Sequence, residues 1–229
     1  MTRVRPGRTV RLSVLVAGAA LALTGCGLHP GDAAVVGGAT ISGGEVDDAA
    51  AALCSANITG AKANGQPKPD LATRGARQAA VQLLIDSELS HQFAESRGVS
   101  PDRAKVSSAI AQQKQTVDLL PAAHKEDFSE ILRNYAEGQL MLIEIGKQEL
   151  GDPNAADDKA LAAGTKARTK WAKQVDVEVD PRYGDWSQGS LHTASGSLSV
   201  PVSDRAATGA NMEPGAGWVA GLPSSQKCS

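Results

Sequence analysis

The chain has 229 residues, with 23 lysines and arginines against 25 aspartates and glutamates and a formal net charge of −2. From Cys26 onward 19 lysines and arginines face 25 acids, a net charge of −6, which offers no basic stripe for nucleic acid and no polybasic help at an anionic membrane surface. Aromatic residues make up only 3% of the chain, so a core must be built from Ala, Leu, Val and Ile, a composition that favours helices.

Residues 1–11 carry Arg3, Arg5, Arg8 and Arg11 and no acid, and Leu12 to Leu23 is apolar apart from Ser13. This is a basic leader followed by an apolar run too short to span a bilayer as a helix. The run ends in Leu23-Thr24-Gly25-Cys26, which resembles the bacterial lipobox. The resemblance implies cleavage after residue 25, a diacylglyceryl group on Cys26, and a chain held on the extracytoplasmic face of the cell membrane. Two acyl chains anchor stably where one holds only marginally. The expected segments are a signal peptide (1–25), a lipidated tether (26–34), a helical domain (35–186) and a Ser/Gly/Pro-rich tail (187–229).

With Cys26 lipidated, Cys54 and Cys228 remain in an oxidising compartment, and an even remainder suggests a disulfide. Such a bridge would close about 170 residues and stabilise by roughly 5 kcal/mol in the chain-entropy model. The alternative leaves Cys54 as a small buried apolar residue and Cys228 free in the tail.

Ala33 to Val36 reads as a short strand ended by Gly37-Gly38. Ile41-Ser42-Gly43-Gly44-Glu45-Val46 is a helix start: Ser42 as N-cap, Glu45 as its capping-box partner, Ile41 and Val46 as the hydrophobic staple. A first helix is expected over Gly43–Asn57, followed by a polar loop from Gly60 to Pro69. The second runs from Leu71 to Arg97, with Val81, Leu84, Ile85, Leu89 and Phe93 inward. Gly98 suits the left-handed residue after its end, and Val99 the apolar contact that follows. Ser100 with Pro101 at the first helical position predicts the start of a third helix carrying Val106, Ile110 and Val117 and stopping near Pro121. A fourth, Ala123 to Leu150, carries Phe128, Ile131, Leu132 and Tyr135 on one face. Its stretch Leu140, Met141, Leu142, Ile143, Glu144, Ile145 is apolar nearly all round, so it is either a core helix or one wall of a cleft for apolar client side chains. Met141 is the adaptable residue in it. A fifth helix, Ala155 to Gln174, turns Leu161 and Trp171 inward and Lys166, Lys170 and Lys173 outward. Val175, Val177 and Val179 then alternate with acids as a half-buried strand that Pro181 ends. Leu198, Val200 and Val202 hint at one more strand, and the rest reads as tail.

Two short strands thus bracket a block of helices, and their pairing would staple its ends. The run Val35 to Asp47 resembles the opening of SurA/PrsA-type chaperone domains. Arg97-Gly98-Val99-Ser100-Pro101 is similar to a helix junction of that family's N-terminal domain. Residues 177–186 are similar to the final strand of that domain in actinobacterial lipoproteins. The resemblance covers about 33–186. It implies a mainly α, SurA N-terminal-like fold of about five helices closed by a two- or three-stranded β element. It also implies a binder of unfolded or extended polypeptides. The 45 residues after Gly184, with His192 alone, are too few for the parvulin prolyl-isomerase domain that members often carry, so no isomerase activity is expected.

No catalytic or cofactor-binding group is expected either. His29, His91, His124 and His192 lack Cys, Asp or Glu partners at metal-ligand spacing. The pairs Gly37-Gly38 and Gly43-Gly44 are turn chemistry without a phosphate-loop lysine. Asp47-Asp48 and Asp157-Asp158 point apart on a helix and suit its first turn. The expected function is a membrane-anchored, non-catalytic, chaperone-like module. The alternative is an envelope scaffold or adaptor that binds one folded partner through the C-terminal tail.

Overall fold

The computed structural model describes residues 27–187, 189–192, 202–210 and 215–228. Residues 1–25, Cys26, Leu198 and Val200 lie outside the described residues, and so do the signal-peptide and lipidation expectations placed on them.

The chain enters a three-stranded antiparallel sheet of order β2-β1-β3, from β1 (Asp32–Val36), β2 (Ala39–Ser42) and β3 (Val177–Val179). The front and back strands do pair: Val35 lies opposite Glu178 and Val36 opposite Val177. Ala33, Ala34 and Val36 of the central strand are fully buried. The sequence shows β1 and β3 but hides β2. Gly37 and Gly38 have φ of 56° and 91°, the left-handed pair that a two-residue hairpin turn needs. They end β1 as expected and turn the chain directly into β2. β2 then runs directly into α1 (Gly43–Ala63). Ser42 Oγ accepts from the Glu45 N–H at 3.1 Å, and the Glu45 carboxylate accepts from the Ser42 N–H at 2.7 Å. Ile41 and Val46 are both buried beside this capping box.

α1 passes Asn57 and ends six residues later than expected. Gly60 is tolerated inside it, and the true stop is Gly65, at φ 66°. The helix α2 (Thr73–Ser96) buries Val81, Ile85, Leu89 and Phe93. Its end is a Schellman motif: Gly98 N–H to Glu95 O at 3.0 Å and Val99 N–H to Ala94 O at 2.9 Å.

The third helix needs two corrections. Its N-cap is Asp102, not Ser100, so Pro101 precedes the helix. The Asp102 carboxylate accepts from both Ala104 N–H and Lys105 N–H, satisfying two end donors where Ser100 would satisfy one. The helix also breaks at Gln113 into α3 (Arg103–Gln112) and α4 (Lys114–Leu119). Residues 111–115 are all exposed, so no buried side chain holds that turn to the core.

α5 (Ala122–Leu150) and α6 (Asp157–Ala172) form a helical hairpin, the most extensive helix pairing among the described residues. Their backbones touch at two glycines. A Cβ on Gly146 would lie 1.7 Å from Ala160 O, and one on Gly164 would lie 1.9 Å from Leu142 O. The core has two parts. One unites the sheet with α1 and α2 around Val46, Val81, Ile85 and Leu89. The other unites α2, α5 and α6 around Phe93, Met141, Leu142 and Ile145. The Phe93 and Trp171 rings meet between them, at 5.4 Å.

The described residues beyond Gly184 hold more structure than their composition suggests. A hairpin of β4 (Asp185–Ser187) and β5 (Ser190–His192) docks on α2 through the Leu191 N–H to Gln82 Oε1, 2.8 Å. Val202 is 97% exposed and lies in no strand. Short helices α7 (Asp204–Ala210) and α8 (Ala216–Ala220) follow, then a 3-10 turn at Ser224–Gln226. This end returns to α1 and α2. Arg74 donates to Gly209 O at 2.6 Å, and the Cys228 N–H donates to Leu71 O at 2.9 Å. Cys54 and Cys228 are joined as a disulfide, with Cα atoms 5.4 Å apart, inside the usual range for such bridges.

Candidate functional site

The return of the chain end creates a cavity of about 830 Å³. Three segments supply its apolar walls. The second half of α1 contributes Leu53, Cys54 and Asn57. The run into α2 contributes Leu71, Ala76 and Ala79. The tail contributes Trp218, Val219 and Leu222. The disulfide therefore sits in the wall and fixes helix against tail.

The rim is polar and internally paired. The Arg77 guanidinium meets Asp47 at 2.6 Å, and Arg182 meets Asp180 at 2.8 Å while lying 5.6 Å from the centre of the Tyr183 ring. The hydrogen bond from Arg182 holds the Asp180 carboxyl below its ordinary pKa. Burial pushes the Tyr183 hydroxyl above its own. These groups neutralise one another, so the cavity is a mixed apolar and polar cleft of the kind that takes small ligands or chain segments.

The apolar stretch on α5 is divided by the fold. Met141, Leu142 and Ile145 are in the core, at 2%, 2% and 0% exposure. Leu140 and Ile143 are half-buried. The stretch is thus core on one side, with Met141 packed among Phe93, Ala94, Leu142 and Ile145. Tyr135, expected inward, is 54% exposed. Lys166, Lys170 and Lys173 are exposed along α6 as expected. His91 approaches Glu137 at 3.8 Å across α2 and α5. Among the described residues no three His, Cys, Asp or Glu side chains gather as a metal site. No helix among them is long and apolar enough to cross a membrane.

The cleft was hidden from sequence reasoning, because its walls come from residues 53–79 and 218–226. Its one visible signal is Cys228, a cysteine next to the chain end with a partner cysteine on the first helix.

Nothing among curated proteins and nothing among solved structures matches the chain. A family model described as the SurA-like N-terminal domain matches residues 8–139. That range covers more than half of the sequence, from the leader through β1, β2 and α1 to the middle of α5. The β1–β2–α1 opening with its capping box, and the α2 end at Gly98, both fall inside it. The chain therefore belongs to the SurA-like N-terminal domain family, whose fold is that of a chaperone-type module.

Proposed function

We propose that this protein is a non-catalytic holding module that binds unfolded or extended polypeptides while anchored by a lipidated Cys26 on the outer face of the cell membrane. The observation that carries the binding half is the 830 Å³ cleft with apolar walls and a paired polar rim. A cleft of that size accepts several residues of chain without demanding one charge or one shape. Family membership supports a chaperone-type role. The anchoring half is supported by the lipobox-like run. The domain also begins close to that cysteine: the Leu28 N–H already donates to Glu178 at 3.3 Å, and β1 starts at Asp32.

The test uses the chain from residue 26 onward, with Cys26→Ser, against a chemically denatured client diluted into buffer. Suppressed aggregation at stoichiometric amounts supports holding. Unchanged aggregation at several-fold excess overturns it. A pull-down dominated by one folded partner, lost on deletion of 187–229, would replace holding with an adaptor role. The intact mass of membrane-extracted protein checks the anchor, which predicts a chain starting at Cys26 with a diacylglyceryl adduct.

A further inference from the structure

A second cavity, of about 170 Å³, lies farther along α2 where that helix meets α5 and α6. Leu83, Leu84, Ile131 and Leu142 give it an apolar lining. A void of roughly 150 Å³ lined by aliphatic groups holds one benzene ring. This one is therefore sized for a single aromatic or leucyl side chain.

One wall is charged. Arg168, 16% exposed, is held to Asp86 at 3.1 Å and donates to Ser90 Oγ at 3.1 Å. Its Nε is sealed from solvent and has no partner among the described residues. An occupant therefore meets the apolar lining rather than this donor.

The two cavities share one stripe of α2. Ala79 lines the larger and Leu83 the smaller, one helical turn or about 6 Å apart. Ala76 and Ser87, farther out on the same two linings, are separated by about 16 Å. An extended chain rising about 3.3 Å per residue crosses such distances in roughly two to five residues. Side chains four apart leave it on the same side.

The geometry points to the α2–α5–α6 cavity as a socket for one aromatic or leucyl side chain of an extended polypeptide, gripped together with an apolar side chain about four residues away in the larger cleft. This rests on the polypeptide-binding reading above. It adds a spacing rule, which a single adaptable groove would not have.

The test measures fluorescence anisotropy of labelled Gly/Ser peptides on the Cys26→Ser chain, disulfide intact. One peptide carries a single Phe, one carries two Phe four residues apart, and one carries two adjacent Phe. The spaced pair is expected to bind at least about tenfold tighter than the single Phe, the gain from burying one more aromatic side chain. Ser87→Phe, which fills the socket from α2, should bring the spaced pair down to the single-Phe affinity. Asn134→Phe, from α5, should do the same. Equal affinity for spaced and adjacent pairs, or indifference to both variants, overturns the proposal. Fluorine NMR of N-acetyl-4-fluorophenylalaninamide probes the socket alone. Binding of this amide without binding of any peptide would keep the socket and sink the polypeptide reading. An amide that does not bind, or whose binding survives both variants, overturns the socket.

Discussion

The contact between α5 and α6 makes the sharpest stability prediction. Gly146→Ala would place a methyl carbon 1.7 Å from the Ala160 carbonyl oxygen, where real side chains stay beyond 3.0 Å. The obstacle is helix backbone, so no rotamer change relieves it, and the helices must part by more than about 1 Å. The overpacking penalty then stands near the top of its usual range, about 3 kcal/mol. Parting also loosens Met141, Leu142 and Ile145 against Phe93, because a gap of that width forfeits a quarter to half of each contact. We take that as about 1 kcal/mol. The better helix propensity of alanine offsets about 1 kcal/mol. The net loss of about 3 kcal/mol corresponds to a fall of roughly 6–12 °C in Tm for a domain of this size. Thermal unfolding followed at 222 nm reads it directly. Gly60→Ala is the control: Gly60 lies inside α1 with nothing within 4 Å of an added Cβ, so Tm should rise slightly. Gly146→Ala unfolding at or above the wild-type temperature would refute backbone-to-backbone packing of this hairpin.

Replacing Cys54 and Cys228 by serine should cost about 2–4 kcal/mol and expose residues 202–228 to limited proteolysis, which the wild-type chain resists until reduced. Ser42→Ala removes one half of the capping box and should cost about 1 kcal/mol in denaturant unfolding, with little change in m-value. Asp180 has its folded pKa depressed by the Arg182 hydrogen bond. Its contribution is therefore present above the ordinary carboxyl pKa and is lost as pH falls through the depressed value. Asp180→Asn should flatten the acid limb of the stability profile and leave stability between pH 8 and 9 without further slope. Burial raises the Tyr183 pKa, so ultraviolet titration of the wild type should show a tyrosine ionising above the usual range, a step that Tyr183→Phe removes.

Local chemistry was legible wherever it is self-contained. The capping box at Ser42 and Glu45, the Schellman end at Gly98 and the inward row Val81, Ile85, Leu89 and Phe93 each involve residues within a few positions of one another. The pairing of β1 with β3 was legible too, because a short valine-bearing strand sits at each end of the helical block. What stayed hidden depends on distant partners. β2 looked like the approach to a helix, since its four residues pair only through the Gly37-Gly38 turn. The α5 stripe showed apolar residues all round, but only the arrival of α6 decides that Met141 is covered. Gly146 and Gly164 read as ordinary helical glycines until two backbones are placed in contact. The cleft needs the tail to return over Leu71, and a Ser/Gly/Pro-rich composition carries no sign of that.

The central position of β1 also sets the order of events as the chain is delivered N-terminus first. β1 and β2 can pair as soon as they appear, yet the other edge of β1 stays open until Glu178 arrives about 140 residues later. Cys54 waits longer still for Cys228. The domain therefore cannot close until these late segments have been synthesised. For that interval its Ala33, Ala34 and Val36 backbone is itself an unpaired strand edge, and completion of the fold is timed by the arrival of β3 and of Cys228.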